Sequence, residues 1–145
     1  MGKTGLVVEG GGMKCAYNAG ILDRFLDENI HFDYCIGVSA GSANVASYLA
    51  GQRDRNLRFY TQHTTLPEYM GVRNFLRTGQ FFGLQFIYGT LTNTGGADPI
   101  DYPAIMANPS EYELVATDAE TGEATYFNKY DLKQDDYTAI MASCA

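Results

Sequence analysis

Tryptophan is absent from this 145-residue sequence, and histidine, cysteine and proline are scarce, with two, three and four residues. Three cysteines without metal-ligand spacing favour neither a zinc site nor a disulfide framework. There is no apolar run of membrane-spanning length, and residues 1–12 lack the pattern of a secretory signal. We therefore expect a protein in a reducing, cytoplasmic location, and nothing in the sequence implies a metal or an organic cofactor.

The shortage of histidine also limits the catalytic options. A Ser-His-Asp hydrolase requires a histidine that follows the acid late in the chain. His31 and His63 both lie in the first half. We interpret His31 as a boundary residue before a strand and His63 as a loop residue, so neither is favoured as a catalytic base.

Composition is consistent with one α/β domain over residues 1–145. The hydrophobic content of 46% is enough for a sizeable core, and no linker or low-complexity tract divides the chain. Seventeen acidic and ten basic side chains give a net charge of −7. Neither this charge nor any aromatic-basic motif supports nucleic acid as a partner.

A Gly-x-Ser-x-Gly pentapeptide lies between an apolar run, residues 32–36, and a run of small residues, 42–51. This pattern predicts a strand, a sharp turn and a helix, and the glycines leave room where a Cβ would crowd the crossing chain. Ser39 at the apex is a candidate nucleophile, because the helix N-terminus favours negative charge nearby. The alternative is a serine that merely caps the helix. The predicted elbow consists of Gly37, Val38, Ala40 and Gly41 around this serine.

A second glycine cluster follows a predicted strand over residues 5–9. In a parallel sheet this loop and the elbow emerge at the same edge, where α/β folds bind their ligands. Successive backbone N–H groups can converge there on an anion, and a lysine adds positive charge, which suits an oxyanion hole. The predicted oxyanion residues are Gly10, Gly11, Gly12, Met13 and Lys14.

Phosphate binding is the rival interpretation of this loop. A dinucleotide fingerprint requires a third glycine where Cys15 stands, and residues 13–15 are not a Walker ending. An amphipathic helix is predicted after the loop. Its apolar face comprises Tyr17, Ile21, Leu22, Phe25 and Leu26, and its polar face Asn18, Asp23, Arg24, Asp27 and Glu28.

The two glycine motifs, in this order, resemble those of the patatin-like phospholipases. Residues 118–123 and 142–145 are also similar to stretches of bacterial members. The resemblance implies a three-layer α/β fold, with a mainly parallel sheet and helices on both faces. It also implies a serine acyl-ester hydrolase of the phospholipase A type, in which Ser39 attacks a lipid or other acyl ester and an aspartate serves as base.

Two features depart from the family's pattern. Cys15 stands where the last glycine of the oxyanion loop is usual, and no Asp-Gly dipeptide supplies the partner aspartate. We expect that aspartate beyond residue 145, and we expect the chain as given to be incomplete and almost inactive, because a serine hydroxyl without a base is a poor nucleophile. Residues 135–145 predict a helix without a stop signal.

Two other functions stay open, an acyltransferase and a lipid-binding module without catalysis. A membrane surface is a further hypothetical partner. An aromatic segment, residues 81–88, follows a group of arginines that could contact anionic lipid; the alternative is a core segment with solvated arginines. The group consists of Arg53, Arg55, Arg58, Arg73 and Arg77. Residues 111–117 and 123–127 predict a hairpin.

Overall fold

The computed structural model describes residues 2–145 as an α/β fold built on a four-stranded sheet, which confirms the predicted α/β class with a mainly parallel sheet. The first three strands are parallel, and the last pairs antiparallel with the third. In sheet order the strands are β1 (Gly5–Val8), β2 (Tyr34–Val38), β3 (Glu111–Thr117) and β4 (Ala124–Asn128). The α-helices are α1 (Ala16–Asp27), α2 (Ala40–Leu49), α3 (Arg55–Thr61), α4 (Val72–Thr78), α5 (Leu84–Phe86), α6 (Tyr102–Ala107) and α7 (Thr138–Ser143), and a short π-helix, Ile87–Leu91, follows α5.

The predicted hairpin is confirmed, whereas β2 begins two residues later than predicted. Gly122 lies in the turn between β3 and β4 with a φ of 74°, a left-handed conformation that favours glycine. Phe32 lies before β2 and belongs to an aromatic cluster. The centroid of its ring is 5.4 Å from that of Phe25 and 6.4 Å from that of Tyr48. Asp33 accepts a hydrogen bond from the Thr4 N–H at 2.7 Å.

The buried side of α1 differs from the predicted apolar face. Leu22 is buried, but Tyr17 is 76% exposed and Ile21 is 37% exposed. Asp23, predicted to face solvent, is buried and accepts a hydrogen bond from the Asp54 N–H at 3.2 Å. The buried side of α1 differs from the predicted one because α1 packs against α2 and α3. Asp23 therefore meets the start of α3.

The helix predicted over residues 135–145 is shorter in the structure. Asp135 has a left-handed φ of 63° and interrupts the helical path. The Asp136 carboxylate accepts hydrogen bonds from the backbone N–H and hydroxyl of Thr138, which starts α7 there. The turn formed by the Asp136 side chain and the backbone conformation of Asp135, rather than apolar periodicity, define this start.

The main core lies against one face of the sheet. Its strand residues point to the same side, since Cys35 on β2 pairs with Tyr112 on β3, and both are buried. On the opposite side, Val7 is 74% exposed and Tyr126 is 61% exposed. No helix within residues 2–145 is both long and apolar enough to cross a membrane.

Truncation of Leu114, which is fully buried at the centre of this core, tests the packing. We expect Leu114→Ala to lower the free energy of unfolding by about 2–5 kcal/mol, since it removes buried methyl groups and leaves a cavity. Leu76→Ala is the matched control, because Leu76 is 79% exposed; it should change stability by less than about 0.5 kcal/mol. Urea unfolding measures both, and equal losses would contradict the assigned core.

Candidate active site

Ser39 occupies a strained turn between β2 and α2. Its φ of 54° is rare for a residue with a side chain, and such strain costs on the order of 1–3 kcal/mol. Both flanking glycines are required by close approach. A Cβ on Gly37 would lie 2.5 Å from the Ser42 Cα, and one on Gly41 would lie 2.4 Å from the Val8 carbonyl oxygen. The backbone of α2 therefore touches the end of β1 as well as that of β2.

The peptide groups of Ser39 are held from both sides. Its carbonyl accepts hydrogen bonds from the Ser42 backbone N–H at 2.9 Å and from the Ser42 hydroxyl at 2.6 Å. Its N–H donates to the Ser143 hydroxyl oxygen at 2.8 Å. The positive φ is thus stabilised by one residue of α2 and one at the end of α7.

The glycine loop after β1 lies directly beside this turn. A Cβ on Gly10 would come within 2.7 Å of the Ser39 Cβ, so this position also leaves no room for a side chain. Gly11 and Gly12 have φ values of 150° and 55°, and Gly12 starts a short 3-10 turn. Lys14 closes the turn by donating its N–H to the Gly11 carbonyl at 3.1 Å, and the residue is exposed. The lysine amide is therefore already used within the loop.

Side chains of neighbouring helices hold the glycine loop in place. The buried Asn44 side chain of α2 donates to the Cys15 carbonyl at 3.0 Å, and Asn18 donates to the Glu9 carbonyl at 3.3 Å. Cys15 is buried, and burial followed by the charge of Glu9 raises the pKa of its thiol. Cys15, which stands where the resemblance leads us to expect a glycine, is thus a packed, neutral side chain.

A cavity of about 260 Å³ opens beside Ser39, and it brings together residues of both glycine motifs. The lining includes Gly12, Met13, Ser39 and Ala40. The remaining lining is mostly apolar and aromatic, including Phe59, Phe82, Leu84, Ile87 and Tyr88. No carboxylate from residues 2–145 lines this cavity, and no cluster of metal-ligating side chains occurs in the same part of the chain.

A buried ionic network surrounds Asp98 near this cavity. Arg58 donates two hydrogen bonds to the carboxylate, at 2.6 and 2.8 Å, and the His63 ring nitrogen lies 3.1 Å from it. Arg55 lines the cavity and contacts the Asp98 backbone carbonyl at 2.8 Å. Burial raises the pKa of Asp98, but these partners outweigh burial and bring it below its usual value. Burial also lowers the pKa of Arg55 to about 10.

This network corrects the hypothesis of a shared basic surface. Arg55 is buried, and Arg58 is paired with Asp98. Arg53 forms ion pairs with Asp27 and Asp54. The sequence pattern grouped these arginines, but Asp98, the acidic partner of Arg55 and Arg58, lies 43 and 40 residues away from them, so the pattern could not show the pairing. Arg73 and Arg77 lie apart from the other three, on α4.

Sequence reasoning missed the two residues at the end of α7. Cys144 lines the cavity, and its thiol lies 3.2 Å from the Tyr88 hydroxyl. Burial raises the pKa of this thiol to about 11, so it is neutral near pH 7. Ser143 holds the Ser39 amide from 104 residues away. The similarity of residues 142–145 to bacterial family members was the available signal, but it did not indicate a role.

The chain is similar to a known protein family over almost its whole length. The family model for patatin-like phospholipases matches residues 6–145. The protein YjjU of Escherichia coli (strain K12), described as uncharacterized, is 31% identical over 87 residues. That match covers 59% of this chain and 24% of the relative, so the similarity extends over about a quarter of the relative's length. No solved structure matches the chain.

Replacement of Gly41 tests whether the elbow depends on close backbone approach. We expect Gly41→Ala to destabilise the protein by about 1–3 kcal/mol or more, because the new Cβ would meet the backbone oxygens of Val8 and Glu9. The matched control is Gly20→Ala in α1, where the added Cβ would have no atom of another part of the chain within 4 Å. It should stabilise by about 0.5–1 kcal/mol through helix propensity. Thermal unfolding measures both, and a stable Gly41→Ala variant would contradict the described elbow.

Proposed function

The chain belongs to the patatin-like phospholipase family, and from that membership we propose that it hydrolyses acyl esters of lipids with Ser39 as the nucleophile. One observation carries the proposal. The strained serine and the glycine loop border the same cavity, which is otherwise lined mainly by apolar side chains. A cavity of this character suits an acyl chain, and the loop amides suit the ester oxygen.

In the proposed reaction, the Ser39 Oγ attacks the carbonyl carbon while a base accepts the hydroxyl proton. The former carbonyl oxygen becomes an oxyanion, which the N–H groups around Gly11, Gly12 and Met13 would stabilise. One such donor is typically worth about 3–4 kcal/mol in the transition state. The bond between the carbonyl carbon and the alcohol oxygen then breaks, and the alcohol oxygen takes up the proton from the base. Water hydrolyses the acyl-serine in the second step.

An aspartate is the proposed base, in a Ser-Asp dyad. Because no carboxylate of residues 2–145 lines the cavity, we propose that this aspartate lies beyond residue 145. A dyad is favoured over a histidine-based triad because His63 is not among the residues that line the cavity. Its ring nitrogen instead contacts the Asp98 carboxylate.

The lack of a carboxylate in the cavity is also consistent with a lipid-binding module that has no catalytic activity. Covalent labelling distinguishes the two functions. In the full-length protein, a fluorophosphonate should attach to Ser39 at one per chain, with loss of fluoride, because the activated hydroxyl attacks phosphorus. Ser39→Ala should remain unlabelled, and intact-mass spectrometry measures both.

The wild-type protein with a lipid ester provides the second part of this experiment. Release of free fatty acid supports the hydrolase, whereas transfer of the acyl group to an added alcohol or thiol in preference to water would identify an acyltransferase. Absence of labelling, together with saturable binding of the lipid, would refute a catalytic serine and favour the binding module.

A lipid substrate resides in an aggregate, so the proposal includes peripheral contact with a membrane, from a cytoplasmic location. We assign this contact to the α4 face, defined by exposed apolar side chains close together in sequence. They are Val72, Phe75, Leu76, Phe81 and Phe82, with exposed fractions of 67%, 53%, 79%, 47% and 36%. Phe82 also lines the cavity, so this face borders the proposed acyl site.

The charge of the α4 face favours an anionic lipid surface as its partner. Arg73 and Arg77 lie on α4, and residues 69–97 contain no acidic residue, although the chain carries a net charge of −7. The segment is held by the buried Asn74 side chain, which donates to the Gln80 carbonyl at 2.7 Å. Phe86, predicted to be part of this contact, instead packs against buried residues of a separate core cluster.

Vesicle binding tests the α4 face. We expect Leu76→Ser to weaken binding to phosphatidylglycerol vesicles about fivefold or more, since insertion of an apolar side chain into lipid contributes on the order of 1–3 kcal/mol. Leu57→Ser, which changes a leucine 44% exposed on α3, is the matched control and should bind like the wild type. Co-sedimentation measures the affinity.

The lipid composition provides the other arm of that experiment. Binding should weaken as salt is added and on neutral phosphatidylcholine vesicles, since each basic residue near an anionic surface contributes about 1 kcal/mol. Equal binding of Leu76→Ser and Leu57→Ser would refute the assignment. Concentration-dependent dimerisation that Leu76→Ser abolishes would instead identify the α4 face as an interface between two copies.

A further inference from the structure

Ser143 joins the end of α7 to the turn that carries Ser39. Its hydroxyl oxygen accepts a hydrogen bond from the Ser39 N–H at 2.8 Å. The same hydroxyl donates to the Val115 carbonyl at 2.5 Å. Ser143 is 8% exposed, so the bridge lies largely out of contact with solvent. One side chain thus links three segments that are far apart in the sequence.

This bridge lies at the point where β2 ends and the elbow begins. Val38, the last residue of β2, pairs with Val115 on β3, and Ser39 is the next residue. The positive φ of Ser39 turns the chain out of the strand at this point. The Ser143 hydroxyl therefore lies between a donor of the elbow and an acceptor of the neighbouring strand.

The hydrogen-bond directions limit which side chains can replace this serine. A hydroxyl has one proton to donate, and here Val115 receives it. The oxygen lone pairs are then available to the Ser39 N–H. Alanine would leave two backbone groups without this partner, whereas threonine keeps the hydroxyl.

We propose that Ser143 is a positioning residue, which holds the peptide before Ser39 so that the nucleophile keeps its orientation towards the glycine loop. The inference rests on the proposed function. Ser42 holds the carbonyl side of Ser39, and Ser143 supplies the hydrogen bond on the N–H side. Loss of the Ser143 contact frees rotation of that peptide and, with it, the φ of Ser39. Because the Ser39 N–H donates to Ser143, it is not a free donor for the oxyanion.

A matched pair of serines separates positioning from simple stability. Ser110 is buried to a similar degree, 6% exposed, and its hydroxyl donates to the Phe32 carbonyl at 2.7 Å, at the opposite end of β2. Ser110→Ala thus removes a comparable hydroxyl without touching the elbow. Ser143→Ala, Ser143→Thr and Ser110→Ala should be compared in the full-length protein, by fluorophosphonate labelling rate and by kcat and KM on a soluble ester.

We expect Ser143→Ala to reduce the labelling rate and kcat by about 10- to 100-fold, with little change in KM, because misplacement of a nucleophile affects the transition state more than binding. Ser143→Thr should restore most of the rate. Ser110→Ala should lower the melting temperature but keep the wild-type rate. Equal rates in Ser143→Ala and Ser110→Ala would overturn the proposal.

Hydrogen exchange of the Ser39 amide gives a readout that does not require catalysis. Ser143→Ala should accelerate this exchange at least about tenfold relative to Ser110→Ala, since the amide loses its acceptor. A wild-type protein that fails to label would refute the proposed function, while the exchange rates would still decide whether Ser143 holds the amide. Unchanged exchange would overturn the positioning role. Ser143→Cys, whose thiol is a weaker hydrogen-bonding group, serves if the alanine variant does not fold.

Discussion

The close approach of α2 to the ends of β1 and β2 is the constraint on which the candidate site depends. Gly41 lies where a Cβ would be 2.5 Å or less from two backbone oxygens of the β1 end, and Gly37 lies against the first turn of α2. This contact places the loop after β1 beside the loop after β2. Gly10 meets Ser39 for the same reason, so the two motifs share one cavity because three positions lack side chains.

Around this contact, several buried polar side chains form hydrogen bonds to the loops of the site. Asn44 of α2 holds the glycine loop, and Ser143 holds the Ser39 amide. At the cavity wall, Arg55 belongs to one buried network with Asp98. Breaking such pairs is costly because an unpaired buried group keeps its full desolvation penalty. The polar pairs therefore define a single arrangement of loops around an otherwise apolar cavity.

Local signals predicted much of the fold. Strand β3 and the hairpin turn at Gly122 lie where alternation and turn chemistry indicated, since these depend on neighbours in sequence. Predictions that required distant partners were less accurate. Tyr17 is exposed and Asp23 is buried, contrary to the helical pattern, because α1 packs against other helices. The arginines assigned to one basic surface are divided between ion pairs with distant aspartates and the separate helix α4.

Sequence by itself determined the position of the elbow and of the glycine loop, since a requirement for glycine is a local property of the backbone and is visible in a pentapeptide. It also indicated the family, through two motifs in a defined order. Only the tertiary structure decided that Ser143 and Val115 complete the elbow and that the α4 face borders the cavity. These contacts join residues many tens of positions apart, and a hydrogen bond or a shared wall exists only once the chain has brought them together.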